Sequence, residues 1–353
     1  MLRRLGWWGR LDPHEIGLLR EARVHDGADL DRGLRLDAAR TGRDALGWIV
    51  PNHALRRAGL AAALARPNVR LIDAAPAVQA QTTDALARLD ADRGALPSLR
   101  ARLLAAADRR FSAVRRQLGI GAEMGDFGRT MIVARVHHRL PHGAIAHECF
   151  GHARTLAMLP LPPSPDGSHA SSAVLTVDTP EAADLLGLPP AGYAAFIARE
   201  FQHQLGPFAL AGERHAYPLV ATWAHRFAAC RAALVGDAAV GMHPVTAHGF
   251  NLGLAGVQTL AALLAQARRR GQDIGAGTLL AAYDREHQRA SRLIYQGTNA
   301  VVGLFTDARP LPRLLRQAVL RGADRLPPLK AAIARHLTGT LDTPCLTPAL
   351  RIS

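Results

Sequence analysis

Residues 234–254 read LVGDAAVGMHPVTAHGFNLGL. A short apolar run ends on Gly236-Asp237, a loop of small residues follows, and a helix-like pattern begins at Gly249-Phe250-Asn251. These residue types suit a bound ligand. Glycine lets the backbone approach a ligand closely, and the carboxylate of Asp237 can accept hydrogen bonds from hydroxyl groups. In α/β proteins ligands lie beyond the carboxyl ends of the strands. A helix starting near Asn251 would point its free N–H groups and the positive end of its dipole at the same place. The arrangement fits a ligand with hydroxyls at one end and developing negative charge at the other. The plainer reading is a tight turn at Gly236, with Asp237 bonded to its own loop.

The elements that would position these residues can be read from periodicity. "EARVHD" (residues 21–26), "GLRLDA" (33–38) and "VRLID" (69–73) read as strands, and residues 52–66 as a helix bounded by Pro51 and Pro67. Residues 78–108 read as a meander turning at "ADRGALP" (91–97). "RTMIVARVHH", "RTLAMLPL" and "SSAVLTVD" are β-favouring runs separated by Pro, Gly and Ser. Helices are expected over 180–186 and 191–204, and a buried strand at "RAALV" (231–235). Leu254, Val257, Leu260, Leu263 and Leu264 then share one helical face. Further helices are expected over 276–295, 312–321 and 328–337, with no internal repeat.

Composition narrows the classes. A chain of 353 residues with 48% apolar content can bury a substantial core. Its formal charge is +14, with Lys330 the only lysine among 43 basic residues. The arginines are scattered and form no basic stripe interleaved with aromatics, which argues against nucleic acid. Cys149, Cys230 and Cys345 are odd in number and far apart, as in a reducing compartment. The start, "MLRRLGWWGRLDPHE", has no apolar stretch of signal-peptide length, and no run reaches the roughly 18 uninterrupted apolar residues of a spanning helix. The expected location is cytoplasmic, with a peripheral position on the inner membrane as the alternative.

Three other constellations carry less. His137, His138, His142, His147, Cys149 and His152 crowd one segment, but their spacing matches no zinc pattern and the segment reads as a hairpin, so no metal is expected. Ser112, Ser171 and Ser172 lie in no G-x-S-x-G elbow, which leaves a hydrolase without support. In the tail, Leu314, Leu315, Val319 and Leu320 beside Arg313, Arg316 and Arg321 read as core packing, with a basic amphipathic surface on anionic lipid as the alternative.

A flavin has ribityl hydroxyls beside a ring whose pyrimidine edge turns negative on reduction, so it matches the ligand inferred for residues 234–254. That stretch resembles the second flavin-contacting motif of the FAD-dependent aromatic-ring hydroxylases similar to p-hydroxybenzoate hydroxylase, and within them the ubiquinone-biosynthesis branch, including the enzymes acting on demethoxyubiquinol. The likeness continues in "GWIVPNHALRRA", "RTLAMLPL", "ERHAYPLVATWAHRF" and "AAYDREHQRASRLIYQGTNAVVGLF". It implies that Gly236 and Asp237 hold the ribityl and pyrophosphate region of FAD, that Pro244 lies against the ring, and that the backbone of Gly249, Phe250 and Asn251 faces the pyrimidine edge. Asp108, Ser112 and Arg115 match the family's other internal motif, with Arg109 in place of its glycine, which works against close backbone approach. Val240 stands where relatives usually have His, and Thr246-Ala247-His248 where they often have Ala-Gly-Gln. His248 is a candidate base near a substrate phenol.

The implied fold is α/β: an FAD/NAD(P)-binding Rossmann-like domain interleaved with a mostly antiparallel β-sheet substrate domain, followed by a helical C-terminus. The expected boundaries are 44–120 with 227–305 for a discontinuous FAD-binding domain, 1–43 with 121–226 for the substrate domain, and 306–353 for the C-terminal helices. The family's opening strand, G-x-G-x-x-G turn and helix have no counterpart in these residues, since "GIGAEMG" (119–125) has the wrong spacing. The expectation is therefore that this chain alone holds FAD weakly. The implied activity is hydroxylation of a prenylated phenol or quinol ring with FAD, NAD(P)H and O2, with a membrane surface or a ubiquinone-biosynthesis complex as partner. The alternative is a truncated, non-catalytic relative serving as a quinone-lipid-binding or assembly subunit, or a chain whose true start lies upstream of Met1.

Overall fold

A computed structural model describes residues 1–27, 30, 33–73, 78–91, 98–151, 153–243 and 249–306. Its elements begin with β1 (Gly17–Leu19), β2 (Glu21–Asp26), β3 (Leu34–Asp37), β4 (Gly47–Ile49) and α1 (Asn52–Leu64). The next are β5 (Val78–Thr82), β6 (Ala87–Ala91), β7 (Leu99–Ala101), β8 (Leu104–Ala106) and α2 (Ala113–Gln117). Then come β9 (Ala122–His138), β10 (Ile145–Phe150), β11 (Thr155–Leu161), β12 (His169–Asp178), α3 (Thr179–Gly187) and α4 (Pro190–Glu200). The last are β13 (Phe208–Ala224), β14 (Ala228–Ala229), β15 (Ala232–Leu234), β16 (Val240–Gly241), α5 (Gly249–Arg269) and α6 (Gly277–Thr306).

Alternation builds the largest layer. Along β9, Ile132, Ala134 and Val136 are buried while the residues between them are partly exposed, the period of a strand packed on one face. The sheet runs β16-β13-β9-β12-β11-β10-β2-β3, antiparallel except between β10 and β2. Helices α3 and α4 cover the face bearing Ile132, Ala173 and Leu175, with Tyr193, Ile197 and Phe201 recurring every four residues along α4 and its end. That helix stops at Glu200, short of the expected 204. Gln202 and His203 take positive φ, and the His203 N–H returns to the Ala198 carbonyl at 2.8 Å, closing the end as a left-handed cap.

The second layer is smaller. Strand β15 pairs parallel with β8 and antiparallel with β14, and Ala232, Ala233 and Leu234 are fully buried, as a strand covered on both faces requires. Helices α5 and α6 pack on it, with Leu252, Leu260, Leu280 and Tyr283 in one core. The Tyr283 hydroxyl donates to the Leu234 carbonyl at 2.6 Å. The meander β5-β6-β7 stands alongside, and its 91–97 turn falls largely outside the described residues. Mixed α/β architecture with a mostly antiparallel large sheet is thus the fold the sequence implies.

Three expectations are corrected. Residues 69–73 form no strand, because no neighbouring strand pairs with them. The His-rich segment is not a hairpin: β12 and β11 lie between β9 and β10, and β10 pairs instead with β11 and β2. On α5 the buried stripe is Leu252, Gly256, Leu260 and Ala267, whereas Val257 is exposed. The stripe turns toward Gly256 because His287 of α6 sits there, with its ring nitrogen 2.4 Å from where a Cβ would be. Among the described residues α5 is the one helix long and apolar enough to cross a membrane, and it packs on α6. The helices expected over 312–321 and 328–337 lie outside the described residues.

Candidate functional site: the turn after β15

At the carboxyl end of β15 the chain passes through Val235 into Gly236, whose φ of 60° is open to glycine and strained for other residues. Asp237 follows in a 3-10 turn closed by the Ala239 N–H on the Gly236 carbonyl at 3.0 Å. The first turns of α5 lie directly over it. A Cβ on Gly253 would come 3.3 Å from the Gly236 Cα, so helix and turn meet backbone to backbone. Between them opens a pocket of about 360 Å³, bounded by Arg109, Gly236, Asp237, Gly249, Phe250 and Val257.

A second motif braces this turn. Asp108 accepts from the Ser112 hydroxyl at 2.5 Å and from the Val114 N–H at 3.0 Å, while Ser112 caps α2 by accepting from the Arg115 N–H at 2.8 Å. Arg115 donates to the carbonyls of Arg110 and Ala238 at 2.9 and 3.1 Å. Arg110 in turn donates to Asp237 Oδ2 at 3.0 Å and to the Val220 carbonyl of β13 at 2.8 Å. The ion pair occupies one oxygen of Asp237 and leaves Oδ1 available to a hydroxyl. The side chain of Asp237 keeps 37% of its surface exposed, consistent with a group facing a pocket.

Of the residues singled out by sequence, Gly236, Asp237, Gly249 and Phe250 border this pocket, and Asn251 lies beside them, exposed in the first turn of α5. Asp108 stands behind the wall, with both oxygens engaged in its own motif. Pro244 and His248 lie outside the described residues. Val240 pairs with Trp223 in the large sheet. Sequence reasoning missed Arg110, whose place two residues after Asp108 is a signal hidden by an arginine-rich background. It also missed His243, buried against Phe127 with ring centroids 5.0 Å apart. Burial, then the charges of Arg129 and Arg110, push its pKa down to about 4, so its imidazole is neutral at pH 7.

The crowded histidines form no comparable site. His138 bonds the Ser171 hydroxyl at 2.9 Å and the Leu140 carbonyl at 2.8 Å, His137 bonds Ser164 at 2.8 Å, and His147 stacks on His25. His152 is outside the described residues. A cleft of about 570 Å³ beside α4 is larger than the pocket at Asp237, but its lining, which includes Ala195, Phe208 and Leu210, is mostly apolar and gathers no convergent polar groups.

Residues 50–298 match the model of a family described as an FAD binding domain. Ubiquinone hydroxylase UbiM of Neisseria meningitidis is 42% identical over 343 residues, covering 96% of this chain and 73% of that protein. The chain belongs to the FAD-binding hydroxylases, in their ubiquinone-hydroxylase branch. Ubiquinone hydroxylase UbiL of Rhodospirillum rubrum is 37% identical over 296 residues, 84% of this chain and 67% of its own. Among solved structures, p-nitrophenol 4-monooxygenase PnpA of Pseudomonas putida superposes with a TM-score of 0.70 at 16% identity, over 91% of this chain and 80% of that one, a likeness of fold. The family's cofactor fits the turn after β15, where Gly236 has open space around its missing Cβ and faces the pocket beneath α5.

Proposed function

We propose that the chain is an FAD-dependent monooxygenase that hydroxylates the ring of a prenylated phenol or quinol in ubiquinone biosynthesis, with NAD(P)H as electron donor and O2 as the oxygen source. The observation that carries the reading is Asp237, fixed by Arg110 at the end of β15 and facing the first turn of α5. In this arrangement Asp237 Oδ1 would accept from a ribityl hydroxyl, and the N–H groups at Gly249, Phe250 and Asn251 would stabilise negative charge on the ring's pyrimidine edge. The resembled motif would give Pro244 the role of packing against the ring and leaves His248 as the candidate base that would draw the proton from the substrate hydroxyl. FAD, when bound, supplies the redox chemistry through which one oxygen atom of O2 reaches an electron-rich ring.

The protein's own contribution is orientation and exclusion of water. Arg110 holds Asp237 in one rotamer, and neutral His243 adds no further positive charge beside the loop that follows β16. The discontinuous domains expected from the sequence, 44–120 with 227–305 and 1–43 with 121–226, place the cofactor on the small sheet and the substrate against the large one. A prenyl tail accounts for a peripheral position on the inner membrane and for partners in a ubiquinone-biosynthesis complex. The test is incubation of the full chain with FAD, NADH or NADPH, and a prenylated phenol under 18O2. The expected product is heavier by one labelled oxygen and depends on the substrate. Pyridine nucleotide oxidation without labelled product would sink the assignment.

A further inference from the structure

Arg109 occupies the position at which the resembled motif carries glycine, and its φ of 76° lies where a side chain bearing a Cβ is strained. Four other described non-glycine residues share positive φ: Ala144, Gln202, His203 and Arg231. Gln202 and His203 close α4, and Arg231 fixes its guanidinium on Asp273 at 2.6 Å. Arg109 is different. It borders the pocket between Gly236 and α5, and among the described residues its guanidinium has no hydrogen-bond or ion-pair partner.

The charges around it point one way. Asp237 is paired with Arg110, and Asp108 is held inside its own motif near Arg115, which leaves Arg109 as the uncompensated charge on the pocket wall. The positive end of the α5 dipole adds to it. Of the parts of FAD, the diphosphate carries the negative charge that such a wall recognises.

We propose that Arg109 is an anion-binding residue of the cofactor pocket, held by a strained backbone so that its guanidinium contacts a phosphate of FAD. The proposal rests on the FAD reading above and extends it to a residue for which the family's glycine offers no counterpart. The arginine gives up backbone ease in the empty protein and gains a phosphate contact in the loaded one.

Three variants of the full chain separate these effects. Arg109→Lys keeps charge and strain, Arg109→Ala keeps strain alone, and Arg109→Gly removes both. Fluorescence titrations with FAD and with riboflavin, which has no phosphate, give affinity, and thermal melts of the apoprotein give the backbone effect. The Ala and Gly variants should bind FAD about tenfold more weakly while Lys stays near wild type, and riboflavin affinity should not change. The Ala deficit should shrink at high salt. Apo Arg109→Gly should melt about 2 °C above wild type, a gain that a merely structural arginine would not give. FAD affinity equal to wild type in Arg109→Ala overturns the proposal, as does an equal loss for riboflavin. If the wild-type chain binds neither flavin, the FAD reading itself fails and takes the proposal with it.

Discussion

The eight-stranded sheet and the small sheet of β8, β14 and β15 treat polar groups in opposite ways. The large sheet turns its chemistry inward: His25 stacks on His147, His138 bonds Ser171, and Glu148 carries a carboxyl that burial pushes up to about 8. The small sheet is itself apolar, and its polar residues stand beyond the strand end, where Asp237 and Arg109 face a pocket. A dense set of reactive residue types satisfied by its own neighbours is structural, whereas a sparse set left facing open space binds.

Acid should act most strongly on the buried histidines, His147 in the large sheet, His243 just after β16 and His287 on α6 over the small sheet. His147, His243 and His287 are each lowered to about 4, foremost by burial. Their folded pKa lies below the unfolded value of about 6.5, so the unfolded chain binds more protons between those limits. Their stability contribution is whole above pH 6.5 and falls as pH drops toward 4, by about 3 kcal/mol for each. Urea midpoints measured from pH 7 to 4 check this, and a flat profile would mean these imidazoles are solvated.

Gly256→Ala tests the packing beneath the pocket. The added Cβ would meet the buried His287 ring at 2.4 Å, so the normal helix gain from alanine is reversed and the chain loses about 1–3 kcal/mol, read by urea denaturation. Asp237→Asn keeps shape and removes charge. It should weaken FAD about tenfold, roughly 1.4 kcal/mol, in a fluorescence titration, with the melting temperature changed far less. The same exchange in the large sheet should act in reverse. Glu148→Gln removes a carboxyl whose folded pKa is raised, and such a group costs stability as pH climbs from about 4.5 to 8. The variant should therefore be more stable than wild type at pH 9 and no different at pH 4, with FAD binding unaffected.

What the sequence revealed follows from the range of each signal. The glycines and Asp237 were legible because turn chemistry is local, and β9, β11 and β12 because alternation is local too. The false hairpin arose because β10 chooses β2, more than a hundred residues away, and no period in the segment encodes that partner. Arg110 was unreadable for a different reason. Its role depends on Asp237 and on the Val220 carbonyl, both distant in sequence, and one arginine among so many carries little information. Arg109 was readable only as a departure from the resembled motif, and its positive φ is a conformation that glycine adopts without strain.

The double grip of Arg110 has a consequence for how such a protein can diverge. Because one side chain holds the Asp237 carboxylate and the Val220 carbonyl together, it sets the spacing between the turn after β15 and β13. Strands β9 to β12 carry neither of its two partners, so side chains there can change without loosening this tie. A variant losing the guanidinium would free the turn and β13 from each other at once.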